Sequence, residues 1–314
     1  MAFTRRSFCR TWVAGLIGQR FLRSAEHRPV GWMPDAQPSG GVRRRYRADA
    51  QILLLSVPVL HRRGVGDGSA LWRDSAAPDG STERFLEFVG QSTPEHAAGL
   101  NRFGFIQELS RTADRDGSES HYFGLMTSSP EESAAEARKA LCSSSKEAWF
   151  SAIEGHNADG FMETVSARFL APARTSETER SQLIERARQA LTSAPTRKQN
   201  APADGQPPHP FLHVLADVLG GNGPSRTQYV YNGRLYQLRV EKSPDAKAAR
   251  AFCELGLIGP RAAVTRISGK LWGNDEGKPV EFRLWIEQDH PHPLPLRIEY
   301  QPKTYLRLTF EAEA

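Results

Sequence analysis

The chain has 314 residues, 39% of them hydrophobic, and a mean hydropathy of −0.52, which describes a somewhat polar globular protein with room for one large domain or two ordinary ones. The formal charge of +5 would suit a nucleic-acid binder, but five of the 41 basic residues (Arg5, Arg6, Arg10, Arg20 and Arg23) fall in residues 1–25, which hold no acid. The remaining 36 balance the 36 acidic side chains, so no global basic field attracts phosphates and no nucleic-acid partner is expected.

In the leader, Thr4-Arg5-Arg6-Ser7-Phe8-Cys9-Arg10 resembles the twin-arginine export signal, with Cys9 where that signal usually has Leu. A short apolar stretch at 12–17 follows, with no clean small-x-small cleavage site and no lipobox cysteine. The alternative is an amphipathic first helix or a misassigned start. The resemblance implies export to the periplasm or another extracytoplasmic compartment, with residues 1–25 as signal peptide and 26–41 as a flexible lead-in. Residues 42–314 then form a single β-rich domain with a proline-rich loop at 192–210. The longest later apolar run, 52–60, is broken by Ser56 and Pro58 and is far short of the ~20 residues of a membrane span.

In chain order, alternation over 46–54 predicts a first strand with a charged face. Arg43, Arg44 and Arg45 before it suit either a phosphate or headgroup site or a solvated strand edge. The glycine-rich run 65–72 lacks the Lys-Ser/Thr ending of a P-loop and the third spaced glycine of a dinucleotide fingerprint, so it reads as a turn into a second strand. Further strands are expected at 84–89, 102–109 and 121–126, with helix an alternative at 94–101. Helices are expected at 131–141 and 146–153, and a strand at 161–170. Ser176 and Glu179 have capping-box spacing ahead of an apolar stripe, which predicts a helix over 177–191. Pro210 suits the first turn of a short helix, 211–219, stopped by Gly220-Gly221.

The last third is an antiparallel meander. Asn232-Gly233 tolerates the positive φ angles of a two-residue turn between 228–231 and 234–240. Alternating segments follow at 280–286, 294–300 and 306–310. Tyr231-Asn232-Gly233-Arg234-Leu235-Tyr236, then Cys253, then Trp285, Asp289 and Leu294-Pro295-Leu296-Arg297-Ile298-Glu299 resemble the ending of a bacterial exported family of unknown function. That family is similar to the lipoprotein-localisation (LolA/LolB-like) carriers. The resemblance covers about residues 210–310. It implies an α+β, mostly antiparallel fold: a curved sheet or half-open β-barrel with a few helices in its mouth and an apolar cavity between. More helix is expected in the middle of this chain than in the family, and the lipid-anchor cysteine is absent. No catalytic residues come with the resemblance.

The cavity candidates are Phe282, Leu284, Ile286, Leu296, Ile298 and Tyr300, with Trp285 on the polar face of its strand as a contact surface or rim. Trp149 and Trp272 read as core or cavity lining. Cys142 and Cys253 either pair as a disulfide in an oxidising compartment or remain buried thiols. No Gly-x-Ser-x-Gly elbow is present. His290-Pro291-His292 beside Asp289 is the best metal-like cluster but lacks a third ligand, so no metal and no cofactor is assigned. Glu108, Asp217 and Glu254 are carboxylates without a visible partner. The first reading is therefore an exported, non-enzymatic envelope protein that binds an apolar or acyl-chain molecule. A protein-interaction scaffold of the envelope and an exported hydrolase or metalloenzyme are the alternatives.

Overall fold

The structure, a computed structural model, describes residues 41–314 apart from 55–56, 77–79, 94–95, 97–101, 114–116, 128–146, 159–160, 173–176, 201–208, 222, 232–233, 274–278 and 304–305. The chain runs β1 (Val42–Leu54), β2 (Val57–Ala76), β3 (Thr82–Ser92), β4 (Phe103–Ala113), β5 (Gly117–Thr127), β6 (Glu147–Ala158), β7 (Phe161–Pro172), α1 (Glu177–Thr192), β8 (Arg197–Asn200), α2 (Phe211–Leu219), β9 (Arg226–Tyr231), β10 (Arg234–Pro244), α3 (Ala246–Glu254), β11 (Val264–Trp272), β12 (Val280–Glu287), β13 (Arg297–Lys303) and β14 (Leu306–Ala312). All fourteen strands join one antiparallel sheet in the order β8-β7-β6-β5-β4-β3-β2-β1-β14-β13-β12-β11-β10-β9. The sheet stays open, because β8 and β9 are not neighbours in it. It curls far enough that Val230 and Tyr231 of β9 pack on Tyr122, Ile153 and Met162 of β5, β6 and β7.

Among the described residues, three helices cover the apolar faces. On α1, Leu183, Ala187 and Leu191 recur every four residues, which puts them on one stripe, and they bury against Phe85, Phe123 and Phe150. On α2, Val214 and Val218 pack with Leu238, Ile267 and Leu284 inside the curl. Gly221, at φ 84°, follows this helix in the left-handed conformation that favours glycine. Asp245 caps α3: its carboxylate accepts from the Ala248 N–H at 3.0 Å and from the Trp285 indole at 2.9 Å. Those two donors, the backbone one first, hold the Asp245 pKa below its ordinary value.

Several expectations from sequence are corrected. In the segment expected as a helix at 146–153, residues 147–153 form the start of β6; Phe150 and Ala152 bury under α1 while Ile153 buries on the opposite face, so burial on both sides overrides the helix-forming composition. The run 65–72 is the interior of a twenty-residue strand. A short strand, β8, lies inside the proline-rich loop, and α3 and β11 carried no strong local signal. The three arginines do not form a sheet edge, because β1 is hydrogen-bonded to both β2 and β14. Arg44 donates to the Leu294 carbonyl at 2.8 Å, whereas Arg43 faces Glu87 at 3.6 Å, so neighbouring arginines serve opposite faces. The helix expected at 131–141 and Cys142 lie outside the described residues, as do Asn232 and Gly233. The hairpin they would close is present, with Tyr231 opposite Arg234.

Candidate functional site

The apolar face proposed from sequence as a cavity is filled. Phe282, Leu284 and Ile286 belong to the core that receives α2, and Ile298 packs at its margin. Tyr300 is 36% exposed. Leu296 and Trp285 lie on the other side of the sheet, buried with Phe252 beneath α3. Trp285 is only 6% exposed, so it forms no rim: its indole satisfies the α3 cap and Arg297 stacks on its ring at 5.5 Å. Trp149 departs the other way, 41% exposed with Arg168 over its ring. Cys253 is a half-buried thiol of α3.

A hollow of about 350 Å³ opens on β10–β14, bordered in part by Phe282, Tyr300 and the half-buried Trp272. Six of its seven charged side chains are matched, Lys270 with Glu281, Arg283 with Glu299 and Arg239 with Glu241, and Arg307 is the seventh. So charged a lining does not suit an acyl chain.

Two of the three carboxylates without visible partners, Glu108 and Asp217, acquire them through α2, whereas Glu254 is exposed at the end of α3. Glu108, 1% exposed, accepts from the backbone N–H groups of Leu212 and His213 at 2.9 Å each, at the positive end of the helix. Its second oxygen also lies 3.0 Å from His213 Nδ1, while His213 Nε2 donates to the Arg84 carbonyl at 3.2 Å. A carbonyl only accepts, so both ring nitrogens are committed and a proton lies between Nδ1 and Glu108. Arg84 in turn bridges Asp74 at 2.9 Å and Asp217 of α2 at 2.8 Å. No exchangeable position remains at this histidine for attack on a substrate. The network is a clamp for the plug helix.

His290 and His292 are not brought to a ligand set: His290 Nδ1 accepts from the His292 N–H, and His292 stands edge-on to Trp72 and 3.6 Å from Asp74. The convergent histidines are elsewhere. Glu119 and His121 project from the same face of β5, two residues apart, and His156 lies directly opposite His121 on β6. Glu119 Oε1 is 3.0 Å from His121 Nε2 and 2.7 Å from His156 Nε2, and the two rings stack at 4.3 Å. Burial, then the neighbouring His156, lowers the His121 pKa to about 4. For Glu119 burial pulls upward, but the two imidazoles outweigh it and the net shift is down. Glu154, on the same face as His156, is pushed up to about 7 by burial. The Glu-x-His spacing of β5 was visible in the sequence; its third member lies three residues beyond the segment expected as a helix, in a strand that the sequence did not signal.

The surface feature that stands out is the far end of the β1–β2 hairpin. Ile52 faces Leu60 there, and every residue from Val57 to Arg63 is exposed, Val57 to 61%, Val59 to 58% and Leu60 to 56%. Alternate residues of a strand face opposite ways, so this stretch of β2 is uncovered on both faces, while Leu53 of β1, opposite Pro58, is buried. A bulge opposite Asp49 precedes it, with Gly64 at φ 61° and its N–H donated to Asp49 Oδ1 at 2.8 Å. His61, 3.3 Å from the other oxygen, and Arg62 and Arg63 follow the apolar tip as a basic collar.

No family model matches the sequence, and no curated protein matches it. Among solved structures, the chain is similar to the crystal structure of a β-barrel-like protein of domain of unknown function DUF1849 from Brucella abortus. The two share 11% identity over 86% of this chain and 94% of that one, with a TM-score of 0.47. At that distance no residue role passes from one chain to the other. Nothing in these comparisons links the chain to the lipoprotein-localisation carriers.

Proposed function

We propose that the protein is an exported envelope protein that works by attachment, its β1–β2 hairpin seating in the interface of an anionic lipid layer. The single observation behind this is the exposed Val57, Val59 and Leu60 followed at once by His61, Arg62 and Arg63. An apolar tip with a cationic collar is complementary to acyl chains beneath negative headgroups. The alternative of an acyl ligand enclosed in the half-barrel has less support, because α2 occupies that face.

The magnitudes favour shallow, reversible contact. Withdrawing three partly exposed aliphatic side chains from water contributes roughly 1–1.5 kcal/mol each, and each arginine near a negative surface about 1 kcal/mol more. Among the described residues, β2 pairs with β3 only from Gly66 onward. Backbone groups without strand partners are costly in hydrocarbon, so the hairpin stops at headgroup depth. The total of about 5–6.5 kcal/mol corresponds to a dissociation constant of roughly 20–200 μM per hairpin.

Flotation of the mature chain with vesicles of phosphatidylglycerol and phosphatidylcholine tests this. Binding should require the anionic lipid, weaken with salt, and fall at least about thirtyfold in the Val59→Asp, Leu60→Asp double variant, since two charged side chains replace apolar ones at the interface. A wild-type chain that stays with the solvent at low salt would refute membrane attachment and leave a protein partner as the occupant. Export is checked separately: Arg5→Lys with Arg6→Lys should retain the protein in the cytoplasm, and unchanged fractionation would remove the twin-arginine route.

A further inference from the structure

We propose that Glu119, His121 and His156 form a binding site for a divalent cation of the Zn²⁺ class. The three ligand atoms all lie within 4.8 Å of one another. The arrangement follows from sheet geometry: two ligands at positions i and i+2 share a face of β5, and the third stands opposite one of them on β6, with the strands about 4.8 Å apart. Three donors are thereby presented to one point by a backbone that hydrogen bonds hold on both sides.

The distances suit the ion. Around a tetrahedral centre with bonds of about 2.1 Å, ligand atoms stand about 3.4 Å apart. The observed 2.7 and 3.0 Å contacts to Glu119 need to open by less than about 1 Å, and each imidazole has only to tilt about its terminal torsion for the two lone pairs to converge. A donor set of two imidazoles and one carboxylate is of the borderline type that suits zinc and its neighbours, whereas calcium and magnesium call for oxygen.

The side chains are 17% exposed for His121, 21% for His156 and 45% for Glu119, so an ion can enter from solvent and a fourth position stays open to water. The surroundings hold the ligands in place. Phe161 meets the His156 ring edge-on at 5.5 Å, and Arg111, in register with Glu119, pairs with Glu83 on the far side. Glu163, opposite His156 in β7, pairs with Lys198 of β8. These residues link the site to β4, β7 and β8, so strands on both sides of β5 and β6 fix its shape. The rival account is a closed hydrogen-bonded trio in which both imidazoles donate to the carboxylate.

The experiment is titration of the tag-free, chelator-treated mature chain with Zn²⁺ by calorimetry and with Co²⁺ by visible absorption. One ion per chain with a dissociation constant below about 10 μM, and the intense visible bands of low-coordinate Co²⁺, are expected. His121→Gln, His156→Gln and Glu119→Gln should each weaken binding at least about tenfold. Imidazole NMR of the wild type needs no variant: of the nine histidines, two should shift with the first equivalent of Zn²⁺. Absence of saturable binding by the wild type, or binding unchanged in the His121→Gln, His156→Gln double variant, would overturn the site and favour the hydrogen-bonded trio.

Discussion

Replacing Glu108 by Ala is expected to lower stability by about 3–5 kcal/mol, the range found when one member of a buried polar pair is removed. The side chain is 1% exposed and meets three partners at once, the donating Leu212 and His213 N–H groups and the His213 ring. Alanine leaves all three without their partner in a buried site. The loss should focus on α2, whose Val214 and Val218 depend on that anchor to meet Leu238 and Leu284. Chemical denaturation gives the total, with a midpoint fall on the order of 10 °C in heating experiments. Hydrogen exchange of residues 211–219 should rise before that of β4. A loss below about 1 kcal/mol would mean that the plug helix is held by apolar packing alone.

Gly155→Val should cost about 2–3 kcal/mol, because no space exists for its side chain. An added Cβ at Gly155 would stand 2.0 Å from the Tyr122 ring, which lies across that glycine from the opposite strand. The hydroxyl of the same ring reaches Thr164 Oγ1 on β7 at 3.2 Å, so Tyr122 spans three strands through the gap. Displacing the ring loses this hydrogen bond and disturbs the contact with Val230 that holds β9 against β6 and β7. The other half of the sheet repeats the device: Phe282 covers Gly269 opposite it, and a Cβ there would also meet the ring at 2.0 Å. Gly269→Val should therefore have a similar cost, and the two together should be additive because they lie in separate clusters. Denaturation midpoints of the two single variants within 0.5 kcal/mol of wild type would show that the rings can leave their glycines without loss.

These two positions also mark the boundary of what the sequence determines. Alternation in 280–286 and 306–310, the stripe of Leu183, Ala187 and Leu191, and the Pro210 and Gly220-Gly221 punctuation of α2 are local properties, set by strand period, helix period and backbone stereochemistry. They suffice for a mostly antiparallel α+β chain with a meander at its end. Residues 147–153 were misread because helix-forming composition carries no information about a sheet that buries both faces.

The tertiary structure decided everything that depends on pairing between distant segments. That α2 fills the concave face, leaving Phe282, Leu284 and Ile286 as core and not as a cavity wall, follows from Glu108 meeting residues 212 and 213 across the sheet. That Trp285 is buried on a nominally polar face follows from α3, whose cap it completes. Glu119 and His121 form a pair by strand period alone, but His156 joins them only through the register of β5 on β6, and register is set by the buried faces of both strands together. The apolar residues 57–60 were legible as a run too short to span a membrane; their exposure goes with β2 pairing with β3, among the described residues, only from Gly66 onward.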